Sequence, residues 1–167
     1  APIPAFGEPV MIPPARRFLL LPAALLALSG CISADMGAKP AVPYPGAPLV
    51  GLLDGRAEVP LGDADGSGRF TGWVDLDYGR ICYTLTLAAI ATPTAAHIHK
   101  GTAGTSGPPV VTLETPTYMQ GKGCIPIDAA LASDLIANPA NYYVNVHNAE
   151  FPGGAIRAQL DKGKGGK

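Results

Sequence analysis

The chain has 167 residues, with 12 Lys and Arg against 13 Asp and Glu, for a formal net charge of -1. It carries no basic stripe, which excludes nucleic acid as a partner, because phosphate binding needs clustered cations. Only 15% of residues are charged and 47% are hydrophobic; 21 Gly and 18 Pro point to many short elements joined by turns, not to a helical bundle.

The first thirty residues read as an address. Arg16 and Arg17 precede an apolar run from Phe18 to Leu28, long enough for a signal-peptide core and too short to span a bilayer. Leu28-Ser29-Gly30-Cys31 resembles the bacterial lipobox, in which the Cys thiol is acylated and becomes the mature N-terminus. A signal peptide with a chance Cys is the plainer alternative. Each buried methylene contributes about 0.8 kcal/mol, so two or three acyl chains on Cys31 hold a protein on a membrane. Ser33, where Asp would retain a lipoprotein at the inner membrane, places the expected anchor in the outer membrane, facing the periplasm. Ala1 is not a start residue, so Met11 is the expected start and residues 1–10 are set aside as a start-site artefact. Residues 31–48 carry Pro40, Pro43, Pro45 and Pro48 and no apolar period, as in a semi-extended tether. The folded domain is expected over 49–161, before a Gly/Lys tail at 162–167 that is too polar to order.

Within that domain, Phe70-Gly72-Val74-Leu76 and Ile81-Tyr83-Leu85-Leu87 alternate with polar or small residues, giving two strands. The short gap Asp77-Tyr78-Gly79-Arg80 makes them a hairpin. Further strands are expected near 49–53, 56–59, 95–100, 109–114, 142–148 and 154–160. One helix is expected over Ala129–Ile136, capped by Asp128 and stopped by Asn138-Pro139. Short strands between turn signals indicate an all-β antiparallel sandwich or barrel with one short helix. With Cys31 lipidated, Cys82 and Cys124 remain, and an oxidising compartment pairs them in a disulfide; two buried free thiols are the alternative.

The 3 His fall in two of these strands. His97-Ile98-His99 sets two imidazoles on one face, because residues two apart on a strand share a face. In Tyr143-Val144-Asn145-Val146-His147, the two Val share one face and His147 the other. With Ile98, Val144 and Val146 toward the core, all three His project from the outer surface, and neighbouring strands would make them converge. Three neutral imidazoles suit copper or zinc, copper binding more tightly. Water, Met119 or Glu150 are candidates for a fourth place. A His-x-His pair also occurs as an ordinary surface or structural pair, so the metal reading rests on every His lying in these two strands with one parity.

Four ordered motifs carry a family resemblance. Ala96-His97-Ile98-His99-Lys100-Gly101, Gly107-Pro108-Pro109-Val110-Val111-Thr112-Leu113, Tyr142 to Asn148, and Phe151-Pro152-Gly153-Gly154-Ala155-Ile156-Arg157-Ala158-Gln159-Leu160 together resemble the CHRD domain, named after chordin. Glu58-Val59-Pro60 is similar to the Glu-Val-Pro near that module's start. Asn148 stands where Thr is common, and Ala155 and Ala158 replace the usual Glu and Gly. The resemblance implies a Greek-key β-sandwich or barrel of immunoglobulin-like or superoxide-dismutase-like character. His-x-His followed by a distant Val-His strand is also similar to the copper ligands of copper–zinc superoxide dismutase. That likeness supports copper at His97, His99 and His147 and does not carry the enzyme, since no fourth His exists to bridge copper and zinc.

The expected function is therefore a lipid-anchored envelope protein that binds copper, or else zinc, as carrier, buffer or sensor. The alternative is a non-catalytic interaction or structural module with an envelope protein partner and no functional metal; a redox enzyme comes last. Asp63 to Gly68 reads as a polar turn, since residue 74 is Val where a calcium loop needs an acid. Gly101 to Gly107 reads as a flexible loop at the rim of the histidine site. Arg157 is expected to pair with Asp75, Asp77 or Glu150.

Overall fold

The computed structural model describes residues 46–164. The signal peptide, Cys31 and nearly all of the tether, with the last three residues of the tail, lie outside the described residues. Among the described residues, no helix is long and apolar enough to cross a membrane.

The period-two segments form strands as expected. In chain order they are β1 (Ala47–Asp54), β2 (Ser67–Asp75), β3 (Arg80–Ala88), β4 (Pro93–Lys100), β5 (Pro109–Leu113), β6 (Gln120–Pro126), β7 (Tyr142–Asn148), β8 (Ile156–Gln159) and β9 (Asp161–Lys162). One helix, α1 (Ala129–Ala137), lies between β6 and β7, with the Asp128 carboxylate accepting the Leu131 N–H at 2.8 Å and Asn138 at its C-cap. Its buried residues, Ala132 and Leu135, pack on the sheet interior. Strand edges run slightly beyond 49–161: Ala47 and Pro48 belong to β1, and Lys162 pairs with Leu49.

All strand pairings are antiparallel, in the order β5-β4-β7-β8-β1-β2-β3-β6, with β9 also on β1. The pairs β4–β7, β1–β8 and β3–β6 join strands distant in sequence. The two edge strands, β5 and β6, approach each other, so one sheet curls into a nearly closed barrel. The alternate residues Phe70, Val74, Ile81, Leu85, Ile98, Val144 and Val146 fill its interior, each 1% exposed or less. Burying such aliphatic and aromatic side chains, at about 1.5–3 kcal/mol each, is the main force holding the barrel.

Three features differ from the sequence expectation. Residues 56–59 are not a strand: a 3-10 turn forms at Gly55–Ala57, with the Asp54 carboxylate accepting the Arg56 N–H at 2.8 Å. Gly55 is required there, since a Cβ would lie 1.7 Å from the Asp63 carbonyl oxygen. Leu76 leaves the alternation and is exposed in the β2–β3 turn. Strand β6, Gln-Gly-Lys-Gly-Cys-Ile-Pro, has no apolar period; it is aligned on β3, where Cys124 sits directly opposite Cys82 and the two form a disulfide.

Candidate metal centre

β4 and β7 are neighbours, and their register sets His97 opposite Asn145 and His99 opposite Tyr143. Ile98, Val144 and Val146 point into the barrel with no exposure. By strand parity the three imidazoles emerge together on the other face. One ring nitrogen from each of His97, His99 and His147 lies within 4.8 Å of the other two. Their rings are steeply inclined, 85° for His97 against His99 and 69° for His97 against His147.

This outer face is not bare surface. The chain after β1 and the loop 101–107 lie over β4, β7 and β8, tied to each other by the Ser106 hydroxyl donating to the Val59 carbonyl at 2.9 Å. His99 is 9% exposed, while His97 and His147 are half-buried. The simple surface site expected from parity is thus a partly covered recess.

Backbone carbonyls settle which nitrogens are available. His99 Nδ1 lies 2.8 Å from the Gly107 oxygen and His147 Nδ1 3.0 Å from the Pro152 oxygen. A carbonyl only accepts, so both Nδ1 atoms carry the proton and both Nε2 atoms keep a lone pair. His99 Nε2 is buried and has no hydrogen-bond partner. An orphaned buried acceptor is costly unless something electrophilic meets it. The third donor is His97 Nδ1, 3.1 Å from His147 Nε2. Burial holds His97 below the usual imidazole range, aided by His147 and His99. Burial likewise lowers His147, with His99 adding to it and the Pro152 carbonyl opposing. Both rings are then neutral at pH 7, the form that binds metal.

Of the candidates for a fourth place, neither joins the three. Glu150 is exposed in the β7–β8 connection and stands outside the donor cluster. Met119 packs against the hydrophobic core. Water is the remaining candidate.

Sequence reasoning missed a buried polar layer behind the histidines. Arg157, 2% exposed, pairs with none of the acids expected of it: Asp75 is taken by Arg80 at 3.3 Å. Arg157 instead donates to the Thr105 carbonyl at 2.9 Å and reaches the Thr102 carbonyl at 3.5 Å. Gln159 donates to the Gly101 carbonyl at 2.8 Å. The expected flexible loop is therefore anchored, and through Gly107 it orients His99. Tyr143 adds a second support: its ring stacks on His99 at 4.9 Å, its hydroxyl accepts the Gly107 N–H at 3.2 Å, and the Arg157 guanidinium lies 3.5 Å from its centroid. Glu58, 5% exposed, completes the layer; burial pushes its carboxyl up to about 7, against Arg157, the Val59 N–H and Asn145, which pull it down. The signal available in sequence was the polar parity of Tyr143, Asn145 and Arg157 on strands whose other face is apolar.

Residues 49–160 match the family model of the CHRD domain. No curated protein and no solved structure matches the chain.

Proposed function

Because this chain belongs to the CHRD domain family, whose module spans 49–160, we propose that its β-barrel serves as a binding module whose ligand is a transition metal held by His97, His99 and His147. The observation that carries this reading is the partnerless, buried Nε2 of His99 beside the other two imidazoles. The donor set is all imidazole, with no carboxylate or thiolate among the described residues within the cluster. Such a set suits copper, zinc and nickel over the hard cations, and Cu(II) binds most tightly in the usual order. Copper is therefore the first ligand of this proposal and zinc the second. Carbonyl-fixed rings are the outer support that metal-binding histidines require. A protein of this kind carries, buffers or senses the metal. No substrate or reaction is proposed.

The envelope setting is part of the proposal. Cys31 in its lipobox-like context would carry acyl chains, with the tether spacing the barrel from an outer-membrane surface on the periplasmic side. The test is calorimetric titration of the full chain with Cu(II) and with Zn(II), beside His97→Ala and His99→Ala. One saturable site, lost or weakened at least tenfold in both variants, is expected. Equal uptake by all three proteins would overturn the metal reading and leave a metal-free interaction module of the envelope.

A further inference from the structure

Beside the edge strand β6 lies a cleft of about 550 Å³ that shares no residue with the histidine cluster. Its floor is the outer face of β3 and β6. There Thr84 pairs across the strands with Lys122 and Thr86 with Gln120, while Leu85 between the two Thr turns into the core. Cross-strand partners point to the same side, so the four polar side chains form one platform. The segment after β5, carrying Glu114 and Thr117, passes over the other side of β6, where Pro116 lies beside Gly121, and the exposed Tyr118 completes the lining.

Tyr118 is the anomaly. Thr117 and Gln120 exchange two backbone hydrogen bonds of 2.8 and 2.9 Å, closing a turn on Tyr118 and Met119. Both central residues are left-handed, with φ of +48° and +62°. Turns with two left-handed central residues normally carry Asn-Gly or Asp-Gly, because a side chain such as Tyr crowds the backbone there. Met119 offsets this by packing its side chain against the core. Tyr118 offsets nothing, since its ring is 99% exposed. A strained position that contributes nothing to the fold directs attention to what lies outside it.

We infer that this cleft binds a neutral saccharide, with the Tyr118 ring as its stacking surface. A pyranose has an apolar C–H face and a rim of hydroxyls. The electron-rich face of an aromatic ring attracts such polarised C–H groups, and Thr, Gln, Lys and Glu side chains offer both donors and acceptors to the hydroxyls. With one Lys and one Glu in the lining, the cleft has no charge excess to favour a polyanion. An extended peptide pairing with the open edge of β6 is the competing occupant. It would use backbone groups at the edge and would need neither the hydroxyl platform nor an exposed ring.

The test is an amide-shift titration of the isotopically labelled full chain with cellohexaose and with chitohexaose, and separately with a valine-threonine hexapeptide. One of the sugars is expected to shift the amides of Thr84, Thr86, Tyr118 and Lys122 saturably. Tyr118→Ala should weaken that binding at least tenfold, while Tyr118→Trp keeps it. Tyr118→Asn should lose the binding and melt at a higher temperature than the parent. No shift with either sugar, undiminished binding by Tyr118→Ala, a lower melting temperature for Tyr118→Asn, or shifts produced by the peptide alone would each overturn the inference.

Discussion

His97 Nδ1 lies 3.1 Å from His147 Nε2, and because Pro152 takes the His147 Nδ1 proton, the hydrogen between the two rings belongs to His97. That hydrogen occupies the place a metal would take. Without metal, therefore, all three imidazoles are Nδ1–H tautomers. Metal uptake leaves His99 and His147 as they are and moves the His97 proton to Nε2. Long-range proton–nitrogen spectra with and without Zn(II) should show this change in His97 alone. A His97 ring already protonated at Nε2 before zinc, or unchanged by it, would contradict the assignment.

The depressed basicity of His97 and His147 sets the pH range of binding. An ordinary imidazole titrates near 6.5, and these two lie below that. Protons on these two rings therefore begin to compete with metal only below pH 6.5, and affinity should be level between pH 7.5 and 6.5 and fall only at a third, more acid value. The same shift bears on folding. A group whose folded value is depressed this way contributes stability above its unfolded value and loses it as pH falls. Titrations with Zn(II) at the three pH values check the first point; a steep loss between 7.5 and 6.5 would count against it.

Arg157 joins the sheet to the loop that orients His99. Replacing it with Met removes the bonds to Thr105 and Thr102 and leaves Glu58 without its buried counter-charge. Each hydrogen bond lost from a charged group costs about 1.5–3 kcal/mol. Loss of an outer support of a metal ligand lowers affinity by about 10–100-fold. Arg157→Met should show both effects by denaturant melts and metal titration. Arg80→Met, at the pair with Asp75 away from the histidines, should leave metal binding intact whatever it costs in stability. Equal effects on metal binding from the two variants would remove Arg157 from any role in positioning.

What could be read in the sequence is what depends on local periodicity. Ile98, Val144 and Val146 announce their inward face, and once that face is set the three histidines must share the other. Asp128 and Asn138-Pro139 bracket α1 for equally local reasons. Strand β6 carried no such signal, because its register comes from β3 and from the Cys82–Cys124 pair. The covering of the outer face was likewise invisible: Glu58, Thr105 and Arg157 are far apart in sequence and meet only when the barrel forms. Glu58-Val59 looked like a strand by composition, yet the Asp54 cap and the tight approach of Gly55 to Asp63 turn the chain there instead.

The disulfide holds an edge. Among the described residues β6 ladders only with β3, and Cys82–Cys124 closes a loop with a sequence separation of 42. By chain entropy such a crosslink contributes about 4 kcal/mol. Replacing both Cys with Ala should lower stability by up to that amount and speed amide exchange in β6 before β4 and β7. Exchange that rises uniformly through the barrel would show that β6 is held by its packing alone.

Glu58 gives the fold a pH dependence opposite to that of the histidines. Its carboxyl titrates near 7 in the folded chain against an ordinary 4.5. Between those values the folded chain keeps a proton that the unfolded chain has released, so stability falls as pH rises through this window and levels off above 7. Gln has nearly the same shape and no charge to bury. Glu58→Gln should therefore match the parent near pH 4.5 and exceed it at pH 8, by at most about 3 kcal/mol, the unscreened equivalent of the shift. Denaturant melts of both proteins at pH 4.5, 6 and 8 measure the difference directly. Curves that stay parallel across the range would mean that Glu58 is ionised at ordinary cost, with Arg157 and Asn145 offsetting its burial in full.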